Sequence, residues 1–431
     1  MINLTRYLTG GAACLAAISP AWAADLPVSK SAPVEYVRVC SVHGEGFFYV
    51  PGTDTCLRIG GRLRADYAFA EPRGATITET DAAGNVIGAW RDGRYRDATG
   101  MKAQARLEVD VRTATDFGLL RAFIRYEIEK NTGVFSDDEN GGLVESAYIQ
   151  WAGLTAGHAT SFFDFYANDL NFGSGLQGSF GSDTTNNLLA YTATFGDGFS
   201  ATLSLEDRNT RNVNDAWYDV AGQRLPDVVA NLRVDQDWGS AQLSGALHQL
   251  NSGSLYGPFA QRVDTAYGWA LQGGVNINLP ALAEGDVLWL QAAYADGALH
   301  YIGAGDIETG DFLSIVTDGA LVNGDVKTTR GWNATAAFLH YWTPSVRQSI
   351  WGSYTGISYD NTVKADYVAL RNVDAWTVGS NLIWSPVNAF DIGVEVLYSK
   401  AERKNFAGEI IESRQKSEDQ VQARLRLQRE F

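Results

Sequence analysis

The feature that constrains the fold most is a period-two alternation of apolar and polar side chains, which recurs from residue 57 to the end of the chain. In residues 101–112, six apolar side chains alternate with six polar or charged ones without a break. Successive side chains of a β-strand point to opposite faces of the sheet, so this pattern predicts strands with one apolar and one wet face. It predicts sixteen strands, near residues 57–69, 101–112, 118–127, 143–152, 155–162, 187–195, 199–207, 227–236, 240–249, 264–277, 286–295, 329–342, 346–354, 375–385, 390–399 and 419–431.

The connections between these strands alternate in length. Seven turns are short, such as the one at residues 115–117, and eight loops are long and polar, such as those near residues 70–100 and 163–186. This alternation is typical of an up-and-down barrel whose first and last strands both end on the short-turn side. We therefore predict an all-β fold, a 16-stranded antiparallel transmembrane β-barrel over residues 56–431, with short periplasmic turns, long extracellular loops and no transmembrane helix.

The width of such a barrel decides which face of each strand meets water. Sixteen strands enclose a lumen that is too wide for inward side chains to fill. We therefore expect the apolar face of each strand to meet lipid and the charged face to line a water-filled lumen. The net charge of −16 argues against a nucleic-acid partner, because such a protein needs basic residues to displace counterions from phosphates.

The first 23 residues have the layout of a secretory signal peptide. Arg6 precedes an apolar stretch, and Ala21-Trp22-Ala23 has the Ala-x-Ala pattern of a cleavage site. We expect residues 24–55 to form a periplasmic-side segment in front of the barrel. Cys40 and Cys56 remain after cleavage, and an exported chain is expected to join them in a disulfide. One such pair offers too few ligands for a zinc site, so no metal is predicted.

Several stretches of the chain resemble one known family. They are Cys40 to Gly61, Ala147 to Gly153 leading into Ala159 to Phe165, and the terminal Phe431. Through these residues the chain resembles the alphaproteobacterial outer-membrane porins of the Brucella and Rhizobiales type, and the similarity spans the mature chain. The resemblance implies a trimeric channel whose third loop, at about residues 163–186, folds into the lumen and narrows it. The terminal Phe also resembles the signal that the barrel assembly machinery reads.

Charged residues on the lumen face predict a constriction. Seven arginines of the first, second, third and last strands would form a basic wall at mid-height: Arg62, Arg64, Arg106, Arg121, Arg125, Arg424 and Arg426. The third loop carries three carboxylates that would face this wall, namely Asp164, Asp169 and Asp183. Opposite charges across an aperture impose a transverse field, which orients dipolar solutes and sorts ions. Inward acids such as Asp66 and Glu108 partly neutralise the wall, so the sign of the ion selectivity stays open.

Two patterns that could indicate an enzyme have weaker support than a channel. Residues 173–178 match the letters of a dinucleotide fingerprint, but they lie within the third loop rather than between a strand and a helix. Ser244 and His248 share one strand face, yet four residues at about 3.3 Å each separate them by roughly 13 Å, too far for a nucleophile and its base. We therefore predict no catalysis and no cofactor.

The sequence favours a general diffusion porin, which passes ions and small hydrophilic solutes passively across the bacterial outer membrane and is surrounded by its lipids. Two alternatives stay open. One is a solute-specific channel, in which aromatics such as Tyr148, Phe163 and Phe165 would contribute to the passage. The other is a non-transporting adhesion or structural barrel with a closed lumen.

Overall fold

The computed structural model describes residues 38–71, 76–80, 86–91, 96–136, 140–168, 170–172, 181–213, 215–257, 261–306, 316–367, 370–404 and 417–431. The predicted signal peptide, residues 1–23, and the first part of the predicted N-terminal segment lie outside these residues. Within them, no helix is both long and apolar enough to cross a membrane.

Sixteen long strands form the main sheet, as the alternation predicted. They are β1 (Thr55–Ala70), β2 (Thr99–Thr115), β3 (Gly118–Gly133), β4 (Gly141–Trp151), β5 (Leu154–Thr160), β6 (Thr185–Gly196), β7 (Phe199–Glu206), β8 (Asp227–Gln236), β9 (Gly239–Leu250), β10 (Ala266–Asn278), β11 (Val287–Asp296), β12 (Arg330–Thr343), β13 (Val346–Ser358), β14 (Val373–Val387), β15 (Phe390–Arg403) and β16 (Ser417–Glu430). One short helix, α1 (Asn361–Asp366), lies in the loop between β13 and β14.

The sheet closes into a barrel through its first strand. Residues 55–69 of β1 pair with β2, and residues 62–70 pair on the other side with β16, both antiparallel. The other strands pair antiparallel with their neighbours in sequence. All the long strands thus have a partner on each side, and the prediction of a closed antiparallel 16-stranded barrel is confirmed.

The short turns owe their form to local backbone chemistry. Ala152 and Gly153 connect β4 to β5 with φ angles of 50° and 88°, and Asp197 and Gly198 connect β6 to β7 with 49° and 77°. Positive φ at both central residues is the signature of a type I′ turn, whose twist matches that of the flanking strands. Two-residue turns therefore hold neighbouring strands tightly at this end of the barrel.

Apolar side chains cover the outside of the barrel, and aromatic rings form a belt toward the long-loop end. Pairs of rings from adjacent strands contact each other there, with centroid separations of 5.2 to 5.5 Å: Trp269 with Tyr294, Trp332 with Tyr354, and Trp376 with Tyr398. Amphipathic rings are most stable at the boundary between hydrocarbon and water. The belt marks one membrane interface of the protein.

The described residues of the third loop, 161–168, 170–172 and 181–184, fold into the lumen. Gln242 of β9 and Gln272 of β10 both donate their Nε2 to the carbonyl oxygen of Phe163, at 3.3 and 2.9 Å. Further along the loop, the amide of Tyr166 donates to Gln291 Oε1 of β11 at 2.9 Å. Inward amide side chains therefore hold the backbone of the loop against the wall.

Other loops fill part of the lumen, which the sequence did not predict. The fourth, sixth and seventh loops (residues 207–226, 297–329 and 359–372) contribute Val213, Leu299, Tyr301, Ile302, Val363 and Leu370 to a hydrophobic core. The core also contains inward strand residues, including Val229, Ala246, Ala270, Ala293 and Ile357. The expectation of a water-filled lumen is therefore wrong at the long-loop end of β8–β13. There the loops fill the space that inward strand side chains are too small to fill.

The chain before β1 lies along the first strand. Phe48 and Tyr49 form a short strand opposite Leu57 and Cys56, on the edge of β1 that β16 leaves open. Cys40 and Cys56 are joined in the predicted disulfide. These contacts attach the segment to the short-turn end of the barrel.

Candidate functional site

A cavity of about 640 Å³ lies inside the barrel, between the third loop and the walls made by β1–β4 and β12–β16. We call it the eyelet cavity. Within the described part of the chain, six arginines and four carboxylates line it: Arg62, Arg64, Arg106, Arg125, Arg347, Arg426, Glu127, Glu145, Asp183 and Asp391. Five of the seven arginines predicted for the basic wall therefore surround one space.

Glu127 of β3 holds the centre of this wall. Arg62 Nη2 donates to Glu127 Oε1 at 3.1 Å, Arg106 Nε donates to the same oxygen, and Gln104 Nε2 donates to Oε2 at 3.0 Å. Arg62, Arg106 and Glu127 are opposite one another in the register of three adjacent strands. Because both carboxylate oxygens already accept charge-assisted hydrogen bonds from the wall, Glu127 offers little to a passing cation.

A β-bulge brings Glu145 into the lumen. The register changes from Arg125 opposite Ser146 to Tyr126 opposite Val144, which leaves Glu145 as the extra residue of β4. Regular alternation would have pointed this carboxylate at lipid, and sequence reasoning missed it for that reason. The adjacent polar pair of Glu145 and Ser146 was the available signal, since it interrupts the alternation.

The bulge allows Glu145 to join two arginines of neighbouring strands. Its carboxylate lies 2.9 Å from Arg106 Nη2 and 3.4 Å from Arg125 Nη1. Arg125 Nε also lies 2.8 Å from Glu108 Oε1. Each of these two arginines is therefore matched by carboxylates of the wall itself.

Arg64 has a different environment. Its Nε and Nη2 both donate to Gln428 Oε1 of β16, at 3.1 and 3.0 Å. In the part of the chain that the structure describes, no carboxylate lies within ion-pair distance of this guanidinium, although its neighbours are all paired. Arg64 thus contacts a neutral amide and faces the eyelet cavity.

The last strand binds the third loop at Phe172. Arg424 and Arg426 donate to the carbonyl oxygen of Phe172 at 3.0 and 2.8 Å, and the amide of Phe172 donates to Glu395 Oε2 at 2.7 Å. Arg426 is itself held by a bidentate pair with Asp66, at 2.8 and 2.7 Å. The third loop, which leaves the wall at β5, therefore reaches β15 and β16 and bounds the eyelet cavity.

Arg121 lies away from the eyelet cavity, near the short turn at residues 116–117. It forms a bidentate pair with Asp110, at 3.0 Å for both bonds, and Asp110 also binds Arg112 at 2.8 Å. Arg424 likewise does not line the cavity, but it donates to the carbonyl oxygen of Phe172, which does. The register of the strands explains the placement of Arg121, since it is opposite Arg112 rather than Arg106.

The predicted acids of the third loop have different surroundings. Asp164 is buried and paired with Arg211 of the fourth loop at 3.3 Å, so it holds loops together. Asp183 is exposed to the eyelet cavity and accepts a hydrogen bond from Asn168 Nδ2 at 3.0 Å. Asp169 lies outside the described residues.

A second ion pair lines the cavity on the wall formed by β13–β15, and sequence reasoning did not select it. Arg347 Nη2 of β13 lies 2.6 Å from Asp391 Oδ2 of β15, and Ser385 donates to Asp391 Oδ1 at 2.6 Å. The two charged residues are 44 positions apart in sequence, and β14 lies between their strands. The antiparallel pairing of β13, β14 and β15 brings them together.

The residues that suggested an enzyme are packed under the loops. His248 Nδ1 lies 2.9 Å from Asp227 Oδ2, and Tyr301 donates to the same oxygen at 2.7 Å. Ser244 Oγ accepts a hydrogen bond from Gln242 at 2.8 Å. Among the described residues, Ser244 and His248 share no hydrogen bond. Of the aromatics that would contribute to a solute-specific passage, Phe163 and Phe165 are buried against the wall, whereas Tyr148 is half-buried.

Two titratable groups of the sixth loop are shifted by burial. Burial lowers the pKa of His300 to about 3, with a further contribution from the nearby Arg211 guanidinium. Burial raises the pKa of Asp318 to about 6, although its carboxylate accepts hydrogen bonds from the amides of Leu299 and Val213, both at 2.7 Å. These groups belong to the packing of the loops against each other.

One group of residues has ligand atoms close enough for a metal ion. In Cys40, His43 and Cys56 these atoms lie within 4.8 Å of one another. Because the two sulfur atoms are joined in a disulfide, neither is available as a thiolate ligand. The cluster therefore does not fit a metal.

Comparison with known proteins is decisive for the family. The model of a porin subfamily matches residues 25–424. The chain belongs to this porin subfamily. It is 30% identical over 427 residues to Porin Omp2b of Brucella abortus, an alignment that covers 95% of this chain and 96% of the relative. By fold it is similar to the outer membrane channel DcaP of Acinetobacter baumannii (TM-score 0.66, 17% identity, 89% and 99% coverage). It is also similar to in-vitro folded OmpT of Vibrio cholerae in its trimer form (TM-score 0.51, 10% identity, 88% and 100% coverage).

Family and fold together assign the function. The protein is a general diffusion porin of the bacterial outer membrane, a channel rather than an enzyme.

Proposed function

We propose that the eyelet cavity is the constriction of this porin, formed by the basic wall and the third loop. The residues predicted for the constriction are Arg62, Arg64, Arg106, Arg121, Arg125, Arg424 and Arg426 on the wall and Asp164, Asp169 and Asp183 on the loop. Of these, Arg121 is paired with Asp110 away from the cavity and is not part of the proposed constriction. The observation that carries the proposal is the attachment of Phe172 to Arg424, Arg426 and Glu395. It supports a loop held across the lumen, where it limits the size of solutes.

Within this constriction the residues have two roles. Those that line the cavity, such as Arg106 and Asp183, set the local field that a solute crosses. Arg424 and Asp164 act instead by positioning the loop, through Phe172 and Arg211 respectively. Fixed charges on both sides of a water-filled passage would orient dipolar solutes and sort ions.

Two arginines of β2 give a matched test of the constriction. Arg106 lines the eyelet cavity, whereas Arg112 lies on the same face of the same strand nearer the short turns. Arg106→Ala should raise single-channel conductance in planar bilayers and admit larger sugars in liposome-swelling assays. Arg112→Ala should stay close to the parent protein in both assays. Equal effects of the two substitutions would show that the narrowest point lies elsewhere.

We also propose that the protein works as a homotrimer without catalysis, cofactor or energy source. The OmpT neighbour from Vibrio cholerae has a trimer form, and the family resemblance supports the same assembly here. Conductance steps of the purified protein should then appear in groups of three. Single independent steps from the folded protein would contradict the trimer.

Export and assembly complete the proposal. Residues 1–23 act as the signal peptide, residues 24–55 as a periplasmic-side segment, and Phe431 as the signal for the barrel assembly machinery, with outer-membrane lipids around the barrel. Phe431 exchanges two backbone hydrogen bonds with Gly61, at 3.0 and 3.1 Å, and its ring is exposed. The terminal residue thus joins the last strand to the first, at the seam of the barrel.

A further inference from the structure

The eyelet cavity contains one cation that differs from its neighbours on the wall. Arg62 pairs with Glu127 at 3.1 Å, and Arg106 pairs with Glu127 and, at 2.9 Å, with Glu145. Arg125 pairs with Glu108 at 2.8 Å and with Glu145 at 3.4 Å. Arg426 pairs with Asp66 at 2.7 Å. Arg64 lies among them with a neutral partner, Gln428. Within the described residues, its Nη1 has no hydrogen-bond acceptor.

Two carboxylates of the same wall as Arg64, those of Asp66 and Glu127, are already occupied. Both oxygens of Asp66 accept from Arg426, and both oxygens of Glu127 accept from the wall. Asp66 and Glu127 are also buried. A cation that enters the cavity would have to displace guanidinium groups to reach these oxygens, which is costly for charge-assisted bonds at short range.

An anion meets the opposite situation. The free side of Arg64 offers N–H donors, and the Arg62 and Arg426 guanidinium groups stand nearby on the same wall. A carboxylate or phosphate can accept from Arg64 without breaking any ion pair of the wall. A guanidinium is also the group whose planar donors fit such oxyanions best.

We propose that Arg64 is a transient binding site for small anionic solutes, and that it makes this porin anion-selective. The ligands are carboxylates, phosphates and halides small enough to enter the cavity. The inference rests on the proposed constriction, because a charge sorts ions only where the passage is narrow. The exposed carboxylate of Asp183 sets the other side of the field and accepts from Asn168 rather than from Arg64.

The test is the reversal potential of the purified full-length porin in planar bilayers under a tenfold gradient of KCl. We expect the reversal potential of the parent protein to have the sign that shows chloride to be more permeant than potassium. Arg64→Gln should reduce the chloride-to-potassium permeability ratio about threefold, the effect of removing one charge at close range in a watery pore. Arg64→Lys should retain most of the ratio. Arg330→Gln removes the same charge at an exposed position outside the cavity, and it should leave the ratio unchanged.

A second readout measures binding directly. Inorganic phosphate added at constant ionic strength should reduce the chloride current of the parent protein, and Arg64→Gln should abolish this block. A cation-selective parent protein, or an Arg64→Gln variant that behaves like Arg330→Gln in both assays, would overturn the anion site. If Arg106→Ala still changes conductance in that case, the constriction stands without the anion site. If neither substitution has any effect, the constriction itself is refuted.

Discussion

For individual side chains, the cost of losing an arginine depends on how far its partner is removed from water. Arg211 and Asp164 are both fully enclosed where the third and fourth loops meet, with side-chain exposures of 0% and 1%. Arg233 and Asp235 form a similar pair, at 2.7 Å, but with exposures of 37% and 53%. A buried charge that loses its partner is far more costly than an exposed one, which water can solvate.

This difference gives a matched prediction. Arg211→Met should weaken the docking of the third loop by about 3–5 kcal/mol, because it leaves Asp164 buried without its cation. Arg233→Met should cost less than about 1 kcal/mol. Hydrogen exchange of the amides of residues 161–168 reports local opening of this loop. Similar exchange in the two variants would mean that the buried pair does not hold the loop.

Among the elements of the fold, the segment in front of β1 pairs with the first residues of β1, which β16 does not reach. The short strand at Phe48–Tyr49 pairs with the start of β1, and the disulfide between Cys40 and Cys56 closes the segment into a loop. The ring of Phe47 packs against the Arg112 guanidinium at 4.7 Å. The segment is thus tied to the barrel by sheet hydrogen bonds, a covalent link and a cation–π contact.

Removal of the disulfide should loosen this segment and leave the barrel folded. The variant Cys40→Ser with Cys56→Ser should lose about 3 kcal/mol, the chain-entropy value for a loop of about this length. The loss should appear as faster proteolysis of residues 40–50 at unchanged β-sheet content by circular dichroism. The parent protein in reductant is the control, and it should match the variant. Unchanged proteolysis would show that the sheet pairing alone holds the segment.

For the molecule as a whole, the lumen is divided. At the end of the barrel that carries the long loops, a hydrophobic core fills the lumen along β8–β13. The charged eyelet cavity lies on the side formed by β1–β4 and β12–β16. The area available to solutes is therefore set by loop packing as well as by the number of strands. Stability of the loop core should affect conduction for this reason.

The pH dependence of the loop core follows from His300. Its pKa is lowered from 6.5 to about 3, so the docked sixth loop excludes a proton that the open loop binds. Taken alone, this shift should weaken docking by up to about 1.4 kcal/mol for each pH unit between 6.5 and 3. Asp318 acts in the opposite sense, because its raised pKa of about 6 makes docking more favourable as pH falls through 6 toward 3.8. The two effects should therefore largely offset each other between about pH 6 and 3.8, so that the net loss of docking is confined to the interval just above pH 6 and to pH below 3.8.

Hydrogen exchange of residues 297–306, corrected for the intrinsic effect of pH, measures this loss. His300→Gln should remove the acid-sensitive component and leave only the opposite trend from Asp318. A variant whose pH profile equals that of the parent protein would contradict the assignment to His300.

Local rules of the sequence were sufficient for the number of strands, their faces, the alternation of turns and loops, and five of the wall arginines that surround the cavity. Period two specifies the face of each side chain, and short turns specify which strands are neighbours. The disulfide was also predictable, because the two cysteines that remain after export can form a single pair.

The partners of the charges, by contrast, depend on the folded barrel. The contact of Arg426 with the Phe172 carbonyl joins residues 254 positions apart, and no local pattern specifies it. The inward position of Glu145 and the contact of Arg64 with Gln428 depend on the register between neighbouring strands. A single extra residue in one strand changes that register. The loop core depends on how much volume the loops bring into the lumen. The charge on the wall could therefore be predicted from the sequence, but which of those charges remains available to a solute is set by contacts across the barrel.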